Sequence, residues 1–108
     1  EVLMAQFDVF KNTNPSTQAL YPYLLEIQSD TLRHLQTTVV IPLTAAQDYS
    51  GKPLSHLHPS FKISDNDYIG MTPLIAGVDR RILGDQVTSL AHYRDAIVVA
   101  LDFMIGGI

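Results

Sequence analysis

The clearest structural signal in the chain is the stretch YPYLLEIQSDTLRHLQTTVVIPL, residues 21–43. Its two ends, 21–28 and 37–43, are rich in β-branched, leucine and aromatic residues, whereas the segment between them is mostly polar. This composition predicts two strands joined by a surface connection. Proline cannot donate a backbone hydrogen bond, so Pro42 predicts the end of a strand or the edge of a sheet.

Strand patterns continue on both sides of this stretch. Four further segments show period-2 alternation or high β propensity: QFDVF (6–10), SFKIS (60–64), YIGMTPL (68–74) and VDRRIL (78–83). The turn residues DND, 65–67, predict a hairpin between the second and third of them. Segments 11–17 and 44–59 are dense in turn residues and predict loops.

The apolar spacing changes near the end of the chain. From Val87 onward apolar residues recur every three or four positions, which predicts a closing helix of about four turns. Thr88 or Ser89 is suited to cap its start, and Gly106 or Gly107 to supply a left-handed residue at its end. The chain is therefore predicted to be mainly β with a C-terminal α-helix.

Both sides of this helix are apolar. Between residues 96 and 105, Asp102 is the single charged side chain. One core-facing stripe does not account for such a pattern, so a second surface must cover the helix, and a two-fold homodimer is the simplest source of one. Leu101 and Met104 are the predicted interface residues, since methionine fills irregular gaps between identical surfaces.

Composition narrows the class of protein. The 108 residues carry a formal charge of −4 and include no cysteine, which argues against direct nucleic-acid binding, disulfides and thiolate metal sites. No apolar run reaches the roughly 20 residues that span a bilayer, so a cytoplasmic protein without a membrane partner is expected. Residues 1–3 are interpreted as a remnant preceding a natural Met4, and 4–108 as one domain.

Few residues suggest chemistry. HLH at 56–58 is the best metal candidate, but two imidazoles rarely hold a metal alone, so a solvated loop is favoured. His34 and His92 are isolated and are expected to be structural. The adjacent pair Arg80 and Arg81 is interpreted as a solvated edge. No catalytic residue, metal or cofactor is predicted.

The segment IQSDTL, 27–32, follows a predicted strand. Ser29 and Asp30 favour a turn through side-chain to backbone hydrogen bonds, and Leu32 is presented just beyond it. By composition alone, the simplest interpretation is a turn followed by a surplus leucine. A polar edge beside an apolar contact also suits a peptide that folds on binding.

Taken in order, five motifs resemble the CcdB family of toxins from toxin–antitoxin modules. They are QFDVF at 6–10, QSD at 28–30, VIPL at 40–43, MT at 71–72 and a final helix that ends in GI at 107–108. The resemblance extends from Ala5 to Ile108. It implies a small β-barrel of the Src-homology-3 kind, shared by CcdB and MazF toxins, with a second small sheet, a closing helix and a homodimer.

The resemblance also implies a function without catalysis. CcdB toxins bind the gyrase A protein of DNA gyrase and trap the enzyme on cleaved DNA, and the antitoxin CcdA masks and removes them. Carried over by position, the gyrase-binding residues are Thr31, Leu32, Asp102, Ile105, Gly106, Gly107 and Ile108. The predicted antitoxin-binding residues are Glu26, Ser29, Asp30 and Leu32.

This chain departs from the family pattern at four of these positions. The family has a tryptophan in place of Gly106, an aromatic residue in place of Ile105, an asparagine in place of Asp102 and an isoleucine in place of Thr31. Two alternatives therefore stay open: a MazF-type endoribonuclease, which would need a basic RNA groove and an acid–base pair, and a degenerate toxin that only binds its antitoxin.

Overall fold

The computed structural model describes residues 6–32 and 34–106, with Asp30 described by its backbone alone. This part of the chain forms an antiparallel sheet followed by a helix, as the sequence predicts. The strands are β1 (Asp8–Asn12), β2 (Tyr23–Glu26), β3 (Thr37–Ala45), β4 (Ser60–Ile63), β5 (Asn66–Gly70), β6 (Ala76–Asp79) and β7 (Leu83–Ser89), and the helix is α1 (Arg94–Gly106). None of the helices described is long and apolar enough to cross a membrane.

The sheet is organised around β3. Its strand order is β4-β5-β3-β2-β1-β7, and it curves into a half-barrel. On one side β3 pairs with β2. On the other side, its first half pairs with β6 and its last three residues pair with β5. β6 thus adds a short strand to the sheet, beside the first half of β3.

Pro42 lies inside β3 rather than at its end, so the strand boundary predicted from this proline is wrong. Pro42 is opposite Leu24 of β2, and its carbonyl accepts a 2.9 Å hydrogen bond from the Met71 N–H. A strand residue directs its nitrogen and its oxygen to the same side. The missing N–H of Pro42 therefore faces the junction between β6 and β5, where no ladder hydrogen bond is lost.

The hairpin between β4 and β5 is confirmed, with a tighter turn than predicted. Ile63 pairs with Asn66, so only Ser64 and Asp65 form the loop. Both have positive φ, 52° and 68°, the conformation that matches the right-handed twist of a two-residue hairpin. The first strand also starts later than predicted, because Phe7 has a φ of 73° and the residues around it form a turn.

The prediction of one strand over 78–83 is wrong. A 3₁₀ turn, Arg80–Ile82, separates β6 from β7. The Asp79 carboxylate begins this turn by accepting a 2.8 Å hydrogen bond from the Arg81 N–H. Two strands therefore share this segment.

The predicted start of the helix is wrong as well. β7 continues to Ser89 and pairs with β1, with Ser89 opposite Asp8. The Ser89 hydroxyl accepts a 3.2 Å hydrogen bond from the N–H of Ala91, the first residue of a 3₁₀ turn, Ala91–Tyr93, and this bond lies outside the first turn of the helix. Helix α1 begins only at Arg94, because strand pairing takes the residues whose spacing suggests a helix.

The core lies between the sheet and α1. It contains Phe7, Val9, Leu25, Ile41, Leu43, Phe61, Ile63, Leu90 and Ile97. Tyr93 ties the helix start to β4, since its ring meets Phe61 edge-on at 5.0 Å and its hydroxyl accepts a 3.1 Å hydrogen bond from the Lys62 N–H. Both contacts fix where α1 crosses the barrel.

Candidate partner-binding site

The inner side of α1 belongs to the core. Ile97 and Ala100 have no exposed surface, and Leu101 packs against the core cluster. Met104, one turn further on, is half-buried. Leu101 and Met104, the predicted dimer residues, therefore lie on or beside the face that the helix turns toward its own sheet.

The outer side of α1 is different. Val99, Asp102, Ile105 and Gly106 are all exposed, and together they form what we call the outer face. Val99 is 47% and Ile105 79% exposed. Full burial of a large aliphatic side chain is favourable by about 1.5–3 kcal/mol of free energy, which a side chain left in water does not gain. The apolar surface at the end of α1 is thus the kind that a binding partner can cover.

Gly106 is the last residue of α1 and has helical backbone geometry. Gly51, with a φ of 90°, is the positive-φ glycine in the described part of the chain, so of the two candidates for a left-handed helix end, Gly106 or Gly107, Gly106 does not provide it. A Cβ built at Gly106 would meet nothing within 4 Å. The glycine therefore leaves open space next to Ile105. Gly107 and Ile108, also predicted to bind gyrase, lie outside the described residues.

The predicted turn after β2 is present. Asp30–Leu32 forms one 3₁₀ turn, and the Ser29 carbonyl accepts a 3.0 Å hydrogen bond from the Leu32 N–H. The hydroxyls of Ser29 and Thr31 lie 2.9 Å apart, within hydrogen-bond distance. Thr31 is exposed, and Leu32 is 41% exposed. This turn presents a polar edge beside a leucine; the Asp30 side chain lies outside what the structure describes.

Glu26 does not share that surface, although the sequence predicts that it contacts the antitoxin. The residue is only 6% exposed. The Thr38 hydroxyl donates a 2.5 Å hydrogen bond to its carboxylate, and Nη1 of Arg80 forms a 3.0 Å ion pair with the same oxygen. The carboxylate is thus held inside the protein at the end of β2.

Sequence reasoning missed the role of Arg80. Its neighbour Arg81 suggests a solvated pair, but Arg80 reaches Glu26, which lies 54 positions away, and no local pattern joins the two. Arg80 also donates from Nε to the Leu35 carbonyl at 3.1 Å. A lone acid at the end of an apolar strand, followed by a distant arginine, is a signal too weak to identify such a pair.

Arg81 is a surface residue, as predicted. Its Nη2 lies 2.8 Å from the Asp79 carboxylate, and its side chain is 89% exposed. Hydrogen bonds from the Arg81 side chain and backbone lower the pKa of Asp79 from 3.8 to about 2. Because both groups are in water, this pair contributes little to folding.

The histidines make ordinary loop contacts. His58 accepts a 3.2 Å hydrogen bond at Nδ1 from the Leu54 N–H, and the His56 ring lies 6.0 Å from that of Phe103 on α1. Across residues 6–32 and 34–106, no group of three or more His, Asp or Glu side chains is placed to hold a metal ion. The HLH segment thus packs the 49–59 loop against the helix.

The architecture of this chain is also found in a solved structure. A solved structure described as an endoribonuclease in complex with its cognate antitoxin from a mycobacterial species is similar to this chain, with a TM-score of 0.70. The match covers 94% of this chain and 93% of the other, at 17% sequence identity. At that identity the likeness shows a shared fold.

The family follows from the sequence match. The family described as CcdB protein matches residues 6–107, nearly the whole chain, and the protein belongs to the CcdB family. Membership confirms the resemblance carried by the five ordered motifs. It identifies the protein as a toxin of the toxin–antitoxin kind.

Proposed function

We propose that the protein is a toxin that binds the gyrase A protein, traps DNA gyrase on cleaved DNA, and is neutralised by a CcdA-type antitoxin. One observation carries the proposal: the outer face of α1, where the large apolar side chain of Ile105 is 79% exposed at the end of the helix. Family membership supplies the target, and the outer face supplies a surface suited to bind it.

The chemistry of the outer face indicates what the gyrase surface must offer. Ile105 requires an apolar pocket, because removing its side chain from water is the main gain available there. Asp102 is exposed one turn before Gly106, and a carboxylate that becomes buried requires an arginine or lysine opposite it. At Gly106 the outer face leaves open the space that the tryptophan of the family pattern would fill.

The antitoxin is proposed to cover the turn after β2. Leu32 projects from this turn beside Ser29 and Thr31, so an extended peptide can bury the leucine and bond to the hydroxyls. Leu32→Lys should weaken binding of the cognate antitoxin peptide. Leu20→Lys is the matched control, because Leu20 is 48% exposed and lies in a different loop. Equal affinity of both variants would contradict this part of the proposal.

The toxin is proposed to act as a homodimer. Part of the apolar surface of α1 is already used by its own core, and the surface beside the outer face includes the half-buried Met104. A second copy related by a two-fold axis would cover it and present two outer faces to a two-fold gyrase. Light scattering at micromolar concentration should give twice the monomer mass; a monomer would refute the dimer.

Endoribonuclease activity is the competing function. Binding RNA requires free cations along a groove, yet Lys62, Arg80 and Arg81 each pair with an acid. The likeness to an endoribonuclease concerns the fold. The pairing of these three of the seven Lys and Arg residues, with a net charge of −4, argues against an RNA groove.

Induction in bacterial cells tests the proposal. The wild-type chain should stop growth, and gyrase A supplied in excess should restore it. Ile105→Lys should be harmless, whereas Leu20→Lys should remain toxic. Growth arrest that excess gyrase A does not relieve, together with cleaved cellular RNA, would support the endoribonuclease instead. No growth arrest would indicate a degenerate toxin.

A further inference from the structure

We infer that Arg80 is a positioning residue: it orders the connection between β2 and β3, which carries Thr31 and Leu32, and so prepares that connection for the antitoxin. The inference rests on the proposed function for its partner. It assigns to Glu26 an indirect role through Arg80, in place of the direct contact with the antitoxin that the sequence predicts.

The geometry places Arg80 at the junction of three segments. Its side chain reaches the Glu26 carboxylate at the end of β2 through Nη1, 3.0 Å, and the Leu35 carbonyl through Nε, 3.1 Å. Its backbone N–H donates to the Gln36 carbonyl at 2.7 Å. A single residue of the β6–β7 turn therefore holds both ends of the β2–β3 connection.

The ion pair between Glu26 and Arg80 is largely shielded from water. The Glu26 side chain is 8% exposed and that of Arg80 28%. The Thr38 hydroxyl provides a further hydrogen bond to Glu26. Breaking the ion pair would leave a carboxylate in a poorly hydrated position, which is far costlier than breaking a surface pair. The guanidinium is thus fixed, and it fixes the Leu35 carbonyl in turn.

Among its described residues, the connection is otherwise held mainly by local hydrogen bonds, including those between Ser29 and Thr31. Within it, the Leu32 N–H donates to the Ser29 carbonyl and the Leu35 N–H donates to the Leu32 carbonyl, both at 3.0 Å. Gln28 adds only long bonds of 3.4 Å and 3.3 Å to the carbonyls of Leu32 and Thr37. Leu35 links Arg80 to Leu32, because Arg80 bonds the Leu35 carbonyl and the Leu35 N–H bonds the Leu32 carbonyl.

Arg81 provides a matched control at the adjacent position of the same 3₁₀ turn. It also bonds a carboxylate through two nitrogens, with Nε and Nη2 at 3.1 Å and 2.8 Å from Asp79. Its side chain is 89% exposed, and both of these bonds go to Asp79. Substitution to lysine removes the same chemistry at both positions, but only the Arg80 substitution removes a bond to Leu35.

The test compares Arg80→Lys with Arg81→Lys by amide hydrogen exchange. Lysine keeps the charge beside Glu26, but its single ammonium does not reproduce two bonds from separate nitrogens. In Arg80→Lys, the Leu32 and Leu35 amides should exchange about tenfold faster, while the Leu90 amide, bonded to the Phe7 carbonyl at 2.8 Å, should not change. In Arg81→Lys, none of the three should change.

Binding of the cognate antitoxin peptide is the second readout. Affinity per folded molecule should fall in Arg80→Lys by the factor by which the ordered fraction of the connection falls, up to about tenfold, and should stay constant in Arg81→Lys. Should Arg80→Lys fail to fold, the double variant Glu26→Gln with Arg80→Met replaces it, because it leaves no unpaired buried charge.

Three outcomes would overturn the inference: unchanged exchange at Leu32 and Leu35 in the Arg80 variants, equal acceleration of these amides and Leu90, or peptide affinity that survives the faster exchange. If the wild-type chain binds neither gyrase A nor the peptide, the proposed function fails and the recognition role fails with it. The exchange data then still report whether Arg80 orders the connection.

Discussion

On one side of α1, Ile97 and Ala100 have no exposed surface, whereas on the other side Val99 is 47% and Ile105 79% exposed. Both sides carry aliphatic residues, so residue type does not distinguish them. What differs is the opposing surface: the inner side meets the sheet, and the outer side meets water. The apolar residues on the inner side therefore serve folding, and those on the outer side are the ones to which the proposed function assigns binding.

The largest expected effect is on the inner side. Ile97→Ala should lower the free energy of unfolding by about 2–5 kcal/mol, because it opens a cavity in a site without solvent access. Ile105→Ala should change it by no more than about 0.5 kcal/mol. Urea denaturation at one fixed protein concentration measures both, since dissociation of a dimer would otherwise contribute. Equal losses would show that the two sides are not distinct.

The next largest effect is expected on gyrase binding by the outer face. Gly106→Trp should strengthen binding to gyrase A, because it restores the anchor that the family pattern has at this position, and open space surrounds the glycine. A gain of about 2 kcal/mol, roughly thirtyfold in affinity, is the size expected for an interface tryptophan. Calorimetric titration with gyrase A measures it.

Gly77→Trp is the matched control for that gain. Gly77 is also exposed, and a Cβ built there would meet nothing within 4 Å, but it lies on β6. A similar rise in affinity for both variants would mean that nonspecific hydrophobic association, rather than a specific anchor at residue 106, explains the gain.

The smallest effect concerns the surface pair beside Arg80. Arg81→Ala should return the pKa of Asp79 from about 2 toward 3.8, because the hydrogen bonds from Arg81 cause the shift. A lowered pKa stabilises the folded state above the unfolded value near 3.8, and that contribution is lost as the pH falls toward 2. NMR titration of the Asp79 carboxyl tests the shift; an unchanged midpoint would assign it to another cause.

Local patterns predicted much of this fold. Alternation and β-branched content identified the strands around 23–26 and 37–45 and the hairpin at 60–70, because each signal lies within a few neighbouring residues. The helix predicted from Val87 onward was wrong at its start, since the three- and four-residue intervals there lie in a strand that pairs with β1. Pairing with β1 makes these residues a strand, and the local sequence pattern carries no information about that pairing.

The candidate site was less predictable. Exposure of Ile105 and Leu32 depends on which side of an element meets the sheet, which the sequence leaves open when both sides are apolar. Polar residues after β2 suggest a surface position for Glu26, but the partner that keeps it inside, Arg80, comes from a distant turn. The family motifs indicated which segments matter, and the structure shows how the described ones are placed.

If the outer face of α1 directs the protein to gyrase, trapping of cleaved DNA should depend on Ile105. The most direct measurement incubates purified gyrase and DNA with the toxin and quantifies DNA held in the cleaved state. Wild-type protein and Leu20→Lys should both accumulate cleaved DNA, and Ile105→Lys, equally folded, should not. Failure of the wild-type protein to trap cleaved DNA, or full trapping by Ile105→Lys, would contradict a gyrase-binding role for the outer face.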